Sequence, residues 1–275
     1  MKRILLSLVS LLCIASSYAI SLNGIEYTID TLAMFPAGPG STYYELRLLR
    51  ADNGKSRLDA FLLAVDTRDP YVQVQQVLGK SKVTGCEVPS SMAKRSTTDN
   101  EIYFGGVNGD FFAYEAPCGT TIIDGQYAFT PAGAGGGRRH AGVDADGKGV
   151  TAYTHTYSMQ VQTPDGTALT INHVNGDRVE NDLVLYNYHK DATTKTNAYG
   201  TEVKIQLLEG ETWKTTGAMK AKVLAKEENV GSMPLAADYA VLSGHGSMQK
   251  ELNKLNVGDE ITLSFEMRLD DELVN

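Results

Sequence analysis

The sequence predicts an α+β protein, with a strand-rich mixed sheet and few, short helices. Three observations carry this. Short alternating or continuous apolar segments recur along the chain, as in residues 43–50, 58–65 and 102–107. Turn-forming pairs such as Asn53-Gly54, Asn108-Gly109 and Asp146-Gly147 punctuate it. Only two segments carry helical signals, residues 89–95 and 246–255.

In chain order, residues 1–19 read as a secretory signal. Lys2 and Arg3 form a charged start, residues 4–15 an apolar stretch, and Ser17-Tyr18-Ala19 a cleavage site. The apolar stretch is short for a membrane span. Leu12 before Cys13 is too bulky for lipoprotein processing, so Cys13 reads as part of the leader. Residues 43–50 alternate as a strand should, and Asp52-Asn53-Gly54 supplies a hairpin-type turn. Residues 58–65 are apolar but for Asp59 and read as a strand buried on both faces. Residues 71–78 alternate again, with Val72 and Val74 against Gln73 and Gln75. Pro89 opens a short helix with Ser90 or Ser91 as cap. Residues 94–100 are polar and unpatterned, which places a boundary near 95–100 between a β-rich region, 20–98, and a second region, 99–275.

Residues 102–107 read as a buried strand that breaks at Asn108-Gly109, with Asp110 and two phenyl rings following at once. Val203, Ile205 and Leu207 set a strand starting at Glu202. Residues 239–242 form an apolar run that enters Ser243-Gly244-His245-Gly246. Met248, Leu252 and Leu255 then share one helical face, and Gly258 lies just past the end. Residues 260–267 close as a strand.

The bulk numbers bound the function. Removing residues 1–19, with Lys2 and Arg3, takes the chain from 275 residues to 256 and the formal charge from −8 to −10. An acidic chain argues against nucleic acid as a partner. No second apolar stretch reaches spanning length, so the mature chain is expected to be secreted or periplasmic, without a membrane span. In an oxidising compartment the remaining Cys86 and Cys118 are a natural disulfide. It would close a loop of about thirty residues, worth about 3 kcal/mol. A reactive thiol is the other reading, with no pairing pattern behind it.

Several motifs carry a resemblance in order along the chain: Val65-Asp66 before Asp69-Pro70-Tyr71-Val72, then Val107-Asn108-Gly109-Asp110-Phe111-Phe112, Ile123-Asp124-Gly125, and Gly142 to Lys148. Asn175 to Arg178, Leu183 to Asn187, Thr196 to Glu202, Val241 to Ser247 and Leu255 to Asp259 follow. Together they resemble the phosphodiester glycosidase family, the group of the mannose 6-phosphate uncovering enzyme. The resemblance implies hydrolysis of a sugar-1-phosphodiester to free sugar and a phosphate monoester, with no cofactor or metal. The partner it implies is a phosphorylated glycan or another sugar phosphodiester. Family members continue with an Arg-Thr-Ala-type strand and an Asp-Gly-Gly-Gly-Ser turn, absent before Leu273-Val274-Asn275. The chain therefore reads as the front part of the glycosidase domain, with an incomplete C-terminal half, inactive by itself.

Such chemistry needs a carboxylate near the anomeric carbon and a clamp for phosphate. Asp110, Glu202 and His245 are the catalytic candidates. Asp110 is a possible acid or base, or a group that merely caps its own turn. Glu202 would complete a carboxylate pair with Asp110, or be an edge-strand charge. His245 would bind phosphate or move a proton, or be solvated. Asn108, Gly109, Asn197, Gly244 and Arg139 are the substrate-binding candidates. Arg139 ends the glycine-rich stretch 133–140, which lacks P-loop spacing and otherwise reads as a surface loop. Gly-x-Ser-x-Gly is absent around Ser243, against a serine-hydrolase elbow. Asp144-Ala145-Asp146-Gly147 lacks the later ligands of a calcium loop and reads as a hairpin. The histidines show no zinc spacing. The competing function is a non-catalytic carbohydrate- or envelope-binding module.

Overall fold

The computed structural model describes residues 18–55, 57–113, 116–131 and 139–274. Residues 1–17, most of the stretch read as a secretory signal, and residues 132–138, most of the glycine-rich stretch 133–140, lie outside them. The chain divides into two units, one ending at Val72 and one starting at Gln73. This division precedes the polar stretch 94–100, which forms the end of a helix and the loop after it.

The first unit is an antiparallel meander in the order β1 (Tyr18–Leu22), β2 (Ile25–Gly38), β3 (Ser41–Arg50) and β4 (Arg57–Val65). Asn23 and Gly24 both adopt positive φ, the requirement of a two-residue hairpin turn. The alternation in residues 43–50 lies within β3, and Gly54 turns the chain into β4 with φ +61°. The apolar run 58–65 does form a strand, but not one buried on both faces: Phe61 is 67% exposed and Leu58 49%. β4 pairs only with β3, at the edge of a single-layer sheet, so no second layer within the unit covers it.

The second unit begins irregularly. Residues 73–78 pair with no strand, although Leu78 is buried. α1 (Pro89–Ser96) starts at the expected proline, but its N-cap is Val88, which makes no side-chain capping bond. Pro89 already occupies the first turn, where no N–H is needed. Residues 102–107 are not a buried strand. They form no ladder, with Val107 78% exposed and Phe111 81%. Asn108 and Gly109 do not adopt positive φ, so the expected tight turn is absent. With no neighbouring strand to accept them, apolar character alone does not make this run extend and bury.

Small hairpins follow: β5 (Phe112–Ala113) with β6 (Ala116–Pro117), β7 (Thr121–Ile123) with β8 (Gln126–Phe129), and β9 (His140–Val143) with β10 (Gly149–Ala152). Asp144 organises the β9–β10 turn by accepting from the N–H groups of Asp146 and Lys148, as the Asp-Gly reading expects. The expected Cys86–Cys118 bridge is not formed. Both thiols are free, Cys86 exposed and Cys118 half-buried. Separate local structure holds each: Cys86 lies between Gly85 and α1, whereas the Cys118 N–H bonds to Phe111 O beside β6.

The core belongs to a mixed nine-stranded sheet. Its strands are β11 (His155–Gln162), β12 (Ala168–Thr170), β13 (His173–Val174), β14 (Leu183–Tyr186), β15 (Thr201–Leu207), β16 (Gly217–Glu228), β17 (Ala240–Gly244), β18 (Glu260–Leu269) and β19 (Glu272–Leu273). The spatial order is β12-β11-β18-β16-β15-β17-β14-β13, with β19 on β18. β13 and β14 run parallel; the other pairs are antiparallel. Along β16 and β18 every second residue is buried, Met219, Ala221 and Val223, then Ile261, Leu263, Phe265 and Met267. β14 and β17 are buried along their whole length. α2 (Ser247–Leu252) follows β17 as expected, and its Leu252 joins Leu183, Leu185 and Leu242 in one cluster. Met233 packs with Val184, Tyr186 and Val241 in another.

Candidate functional site

The pairing of β15 with β17 sets Glu202 opposite Ser243 and Thr201 opposite Gly244. Both strands are apolar enough to be driven into the core, and Glu202 is carried in with them, only 1% exposed. A buried carboxylate requires partners. Thr196 Oγ1 and Ser243 Oγ each donate to Oε1 at 3.0 Å, and the Met233 N–H donates to Oε2 at 2.8 Å. Ser243 Oγ also accepts from Arg178 Nη1 at 2.8 Å. Ser243 thus links a cation to a carboxylate.

Arg178 was not a site candidate in the sequence, although it ends one of the quoted motifs. Its Nη2 donates to Asn197 Oδ1 at 2.7 Å, to Asn197 O at 3.0 Å and to Tyr199 O at 2.8 Å. Burial lowers its pKa, and the nearby Glu202 opposes that shift. The guanidinium therefore gathers the segment before β15 onto the end of β17. Asn197 serves the same loop, its Oδ1 also accepting from the Tyr199 N–H at 3.1 Å.

Two glycines make the close approach possible. Gly200 has φ +151°, and a Cβ there would collide with Gly244 O and the Arg178 guanidinium. Gly244 lies against Met248, where a Cβ would stand 2.8 Å from a backbone carbon. Gly246, with φ +60°, precedes α2 and makes no side-chain cap. Asn181 Oδ1 supplies the cap instead, accepting from the Ser247 N–H at 2.9 Å. The His245 N–H bonds to Asp182 O at 3.1 Å. Its half-exposed ring stacks on Tyr199, with centroids 6.4 Å apart and planes at 28°.

The structure thus brings together Asn197, Glu202, Gly244 and His245. The other candidates lie in different parts of the unit. The Asp110 carboxylate accepts from the N–H groups of Phe111 at 2.7 Å and Gly119 at 2.5 Å, so it organises its own loop. Asn108 and Gly109 sit in the exposed segment ahead of it. Arg139 is exposed and lies over the Tyr153 ring, 4.8 Å from its centroid. Glu202 finds its partners in Thr196, Ser243 and Met233, where the sequence suggested a pairing with Asp110.

Two further histidines are buried. His155 packs against the His140 and Tyr157 rings, and its ring nitrogens find no hydrogen bond among the described residues. Burial lowers its pKa to about 4, and His140 adds to this. The His189 ring lies against Tyr188, centroids 4.0 Å apart and tilted by 34°, and burial together with Lys82 lowers its pKa to about 4. Among the described residues, no group of three or more His, Cys, Asp or Glu is placed to hold a metal ion. No helix among them is long and apolar enough to cross a membrane.

Fold and site define a strand-rich α+β protein in which buried Ser243 and Glu202, at the ends of adjacent strands, are linked to a half-buried Arg178. The chain matches no protein-family profile and no curated protein. Solved structures do resemble it. One, from Burkholderia pseudomallei K96243, is described as a "putative exported protein"; it has a TM-score of 0.59 at 14% identity, covering 94% of this chain and 72% of that one. A protein described as hypothetical, from Synechocystis, has a TM-score of 0.52 at 13% identity. This chain spans 42% of that protein's length. At these identities the likeness concerns the fold.

Proposed function

We propose that this chain, although the sequence led to the expectation of an inactive front part, is an exported protein acting on a sugar-1-phosphodiester, with its site around His245, Ser243 and Arg178. The observation that carries the reading is the convergence of Asn197, Glu202, Gly244 and His245, drawn from two separate motifs, on one pair of strand ends. The charged-then-apolar leader of residues 1–19 and the exported Burkholderia neighbour support export. Hydrolysis breaks the bond between the anomeric carbon and the phosphate oxygen. Water supplies a hydroxyl to the sugar and a proton to the phosphate. His245 is half-buried, with part of its surface open to a phosphate group. Glu202 is a positioning residue, acting through Ser243 and Arg178.

A second reading, a binding module without turnover, has its own support. Glu202 accepts three hydrogen bonds and Arg178 is engaged with loop carbonyls, the pattern of a scaffold. Incubation with UDP-GlcNAc and with a GlcNAc phosphodiester, followed by assay of free sugar, separates the two. Release that His245→Ala reduces by about a hundredfold or more supports hydrolysis. Asp110→Asn should leave turnover near the parent value. Saturable binding without release favours the module, and neither binding nor release overturns both readings.

A further inference from the structure

Away from the His245 site, a cleft of about 410 Å³ lies in the same unit between the β7–β8 hairpin, the end of β15 and the loop before β16. That volume is in the range of small-ligand pockets, about 300–1,000 Å³. Trp213 and Tyr188 supply aromatic surface, while Asp124, Gln126, Gln206 and Asp238 supply polar groups. Nothing in this cleft serves the Glu202 relay.

Its parts are held in place. Asp124 and Gly125 both adopt positive φ, making the two-residue turn that sets Asp124 at the hairpin tip. Trp213 packs on the edge of the main core, and its carbonyl lies 3.8 Å from where a Gly125 Cβ would stand. Asn187 Nδ2 donates to Tyr127 O and Asn175 Nδ2 to Ala128 O, both at 2.8 Å, so buried amides tie β8 to the ends of β14 and β13. Gln206 Nε2 bonds to Asp238 O at 3.2 Å and fixes that corner. The Asp124, Gln126 and Asp238 side chains, by contrast, make no hydrogen bond or ion pair with another described residue.

We infer that this cleft binds an uncharged saccharide. Carboxylates and amides with free acceptor sites suit vicinal hydroxyl groups. Aromatic rings suit the C–H face of a sugar ring. No Lys or Arg lines the cleft, Glu211 is paired with Lys214 at 3.9 Å, and Asp124 and Asp238 add negative charge, so a phosphate or sulfate group finds no cation to receive it. The cleft therefore takes a ligand of different charge from that proposed for the His245 site, and it stands whether or not that reading holds.

Trp213 is the chain's single tryptophan, so intrinsic fluorescence reports on the cleft directly. The mature protein should be titrated with neutral cello-, malto-, xylo- and chito-oligosaccharides, and with spermidine, by fluorescence and by calorimetry. The expected result is saturable binding of at least one neutral series, insensitive to 0.5 M NaCl. Asp238→Ala and Trp213→Phe should weaken it about tenfold or more, the loss of one good contact. Thermal melts would confirm that both variants fold, and His245→Ala should leave the binding unchanged. Three results would overturn the inference: no saturable binding of any neutral series by either method, binding of spermidine alone with loss in salt, or saccharide binding unaffected by both cleft variants.

Discussion

At the scale of single residues, the chain's internal electrostatics centre on Glu202. Removing a buried group that satisfies three donors leaves those donors and Arg178 uncompensated. Glu202→Ala is therefore expected to cost about 3–5 kcal/mol of folding stability, measurable as a shift in urea midpoint at unchanged slope. Glu202→Gln should cost less, because shape is kept and one acceptor oxygen remains. The buried histidines make a different prediction. His155 and His189 have folded pKa values near 4, below the ordinary 6.5. As pH falls from about 6.5 the unfolded chain takes up these protons before the folded chain does, so stability is full above that pH and declines toward pH 4. Each residue contributes up to about 3 kcal/mol. Denaturation midpoints at pH 7 and 4.5 should show the loss, and His155→Phe should reduce it.

At the scale of elements, the β17–α2 turn depends on missing side chains. Gly200→Ala would place a methyl group against Gly244 O and the Arg178 guanidinium in a backbone conformation that L residues rarely adopt. The expected cost is about 2 kcal/mol or more, with disturbance of the Tyr199–His245 stack visible by NMR. The Asp110 loop behaves more gently. Asp110→Ala frees the N–H groups of Phe111 and Gly119 at a partly exposed site, and about 1 kcal/mol is expected. The thiols report on the same region. On the native mature chain, Ellman's reagent should find Cys86 fast and Cys118 slow, following their exposure. A chain with no reactive thiols would restore the expected disulfide.

At the scale of the whole molecule, the two units differ in how they are stabilised. The main hydrophobic cluster, with the side chains packed against it, lies entirely between Ile122 and Val274. In the four-stranded meander, by contrast, Tyr27 and Leu48 are buried while Met34, Phe35, Phe61 and Leu62 are exposed. A fragment from Gln73 onward is accordingly expected to keep one cooperative calorimetric transition, with its midpoint within about 5 °C of the parent. Residues 20–72 alone should show no cooperative transition. The reverse result would move the seat of stability to the meander.

Periodicity by itself determined much of the strand plan. Residues 43–50, 202–207 and 260–267 are each found in their strands; in the latter two the buried positions face the core, whereas 43–50 lies in the uncovered meander, with only Leu48 buried. The Asp-Gly turn at Asp146, the start of α1 at Pro89 and the site of α2 after Gly246 were equally local decisions, made by φ preference and by a missing N–H. Burial was not local. Residues 58–65, apart from Asp59, and 102–107 are largely apolar, yet β14 and β17 are covered and they are not, because covering requires neighbours far away in sequence. The candidate site divided in the same way. Asn197, Glu202, Gly244 and His245 were legible from glycine-rich strand ends. Arg178 was not, because its importance depends on Ser243, 65 residues away, and on two glycines that admit its guanidinium. Local sequence selects strand, turn and cap, because those depend on one residue's own torsions and nearest neighbours. Which carboxylate is buried, and which cation meets it, depends on strand pairing across the fold, and only the tertiary structure decided it.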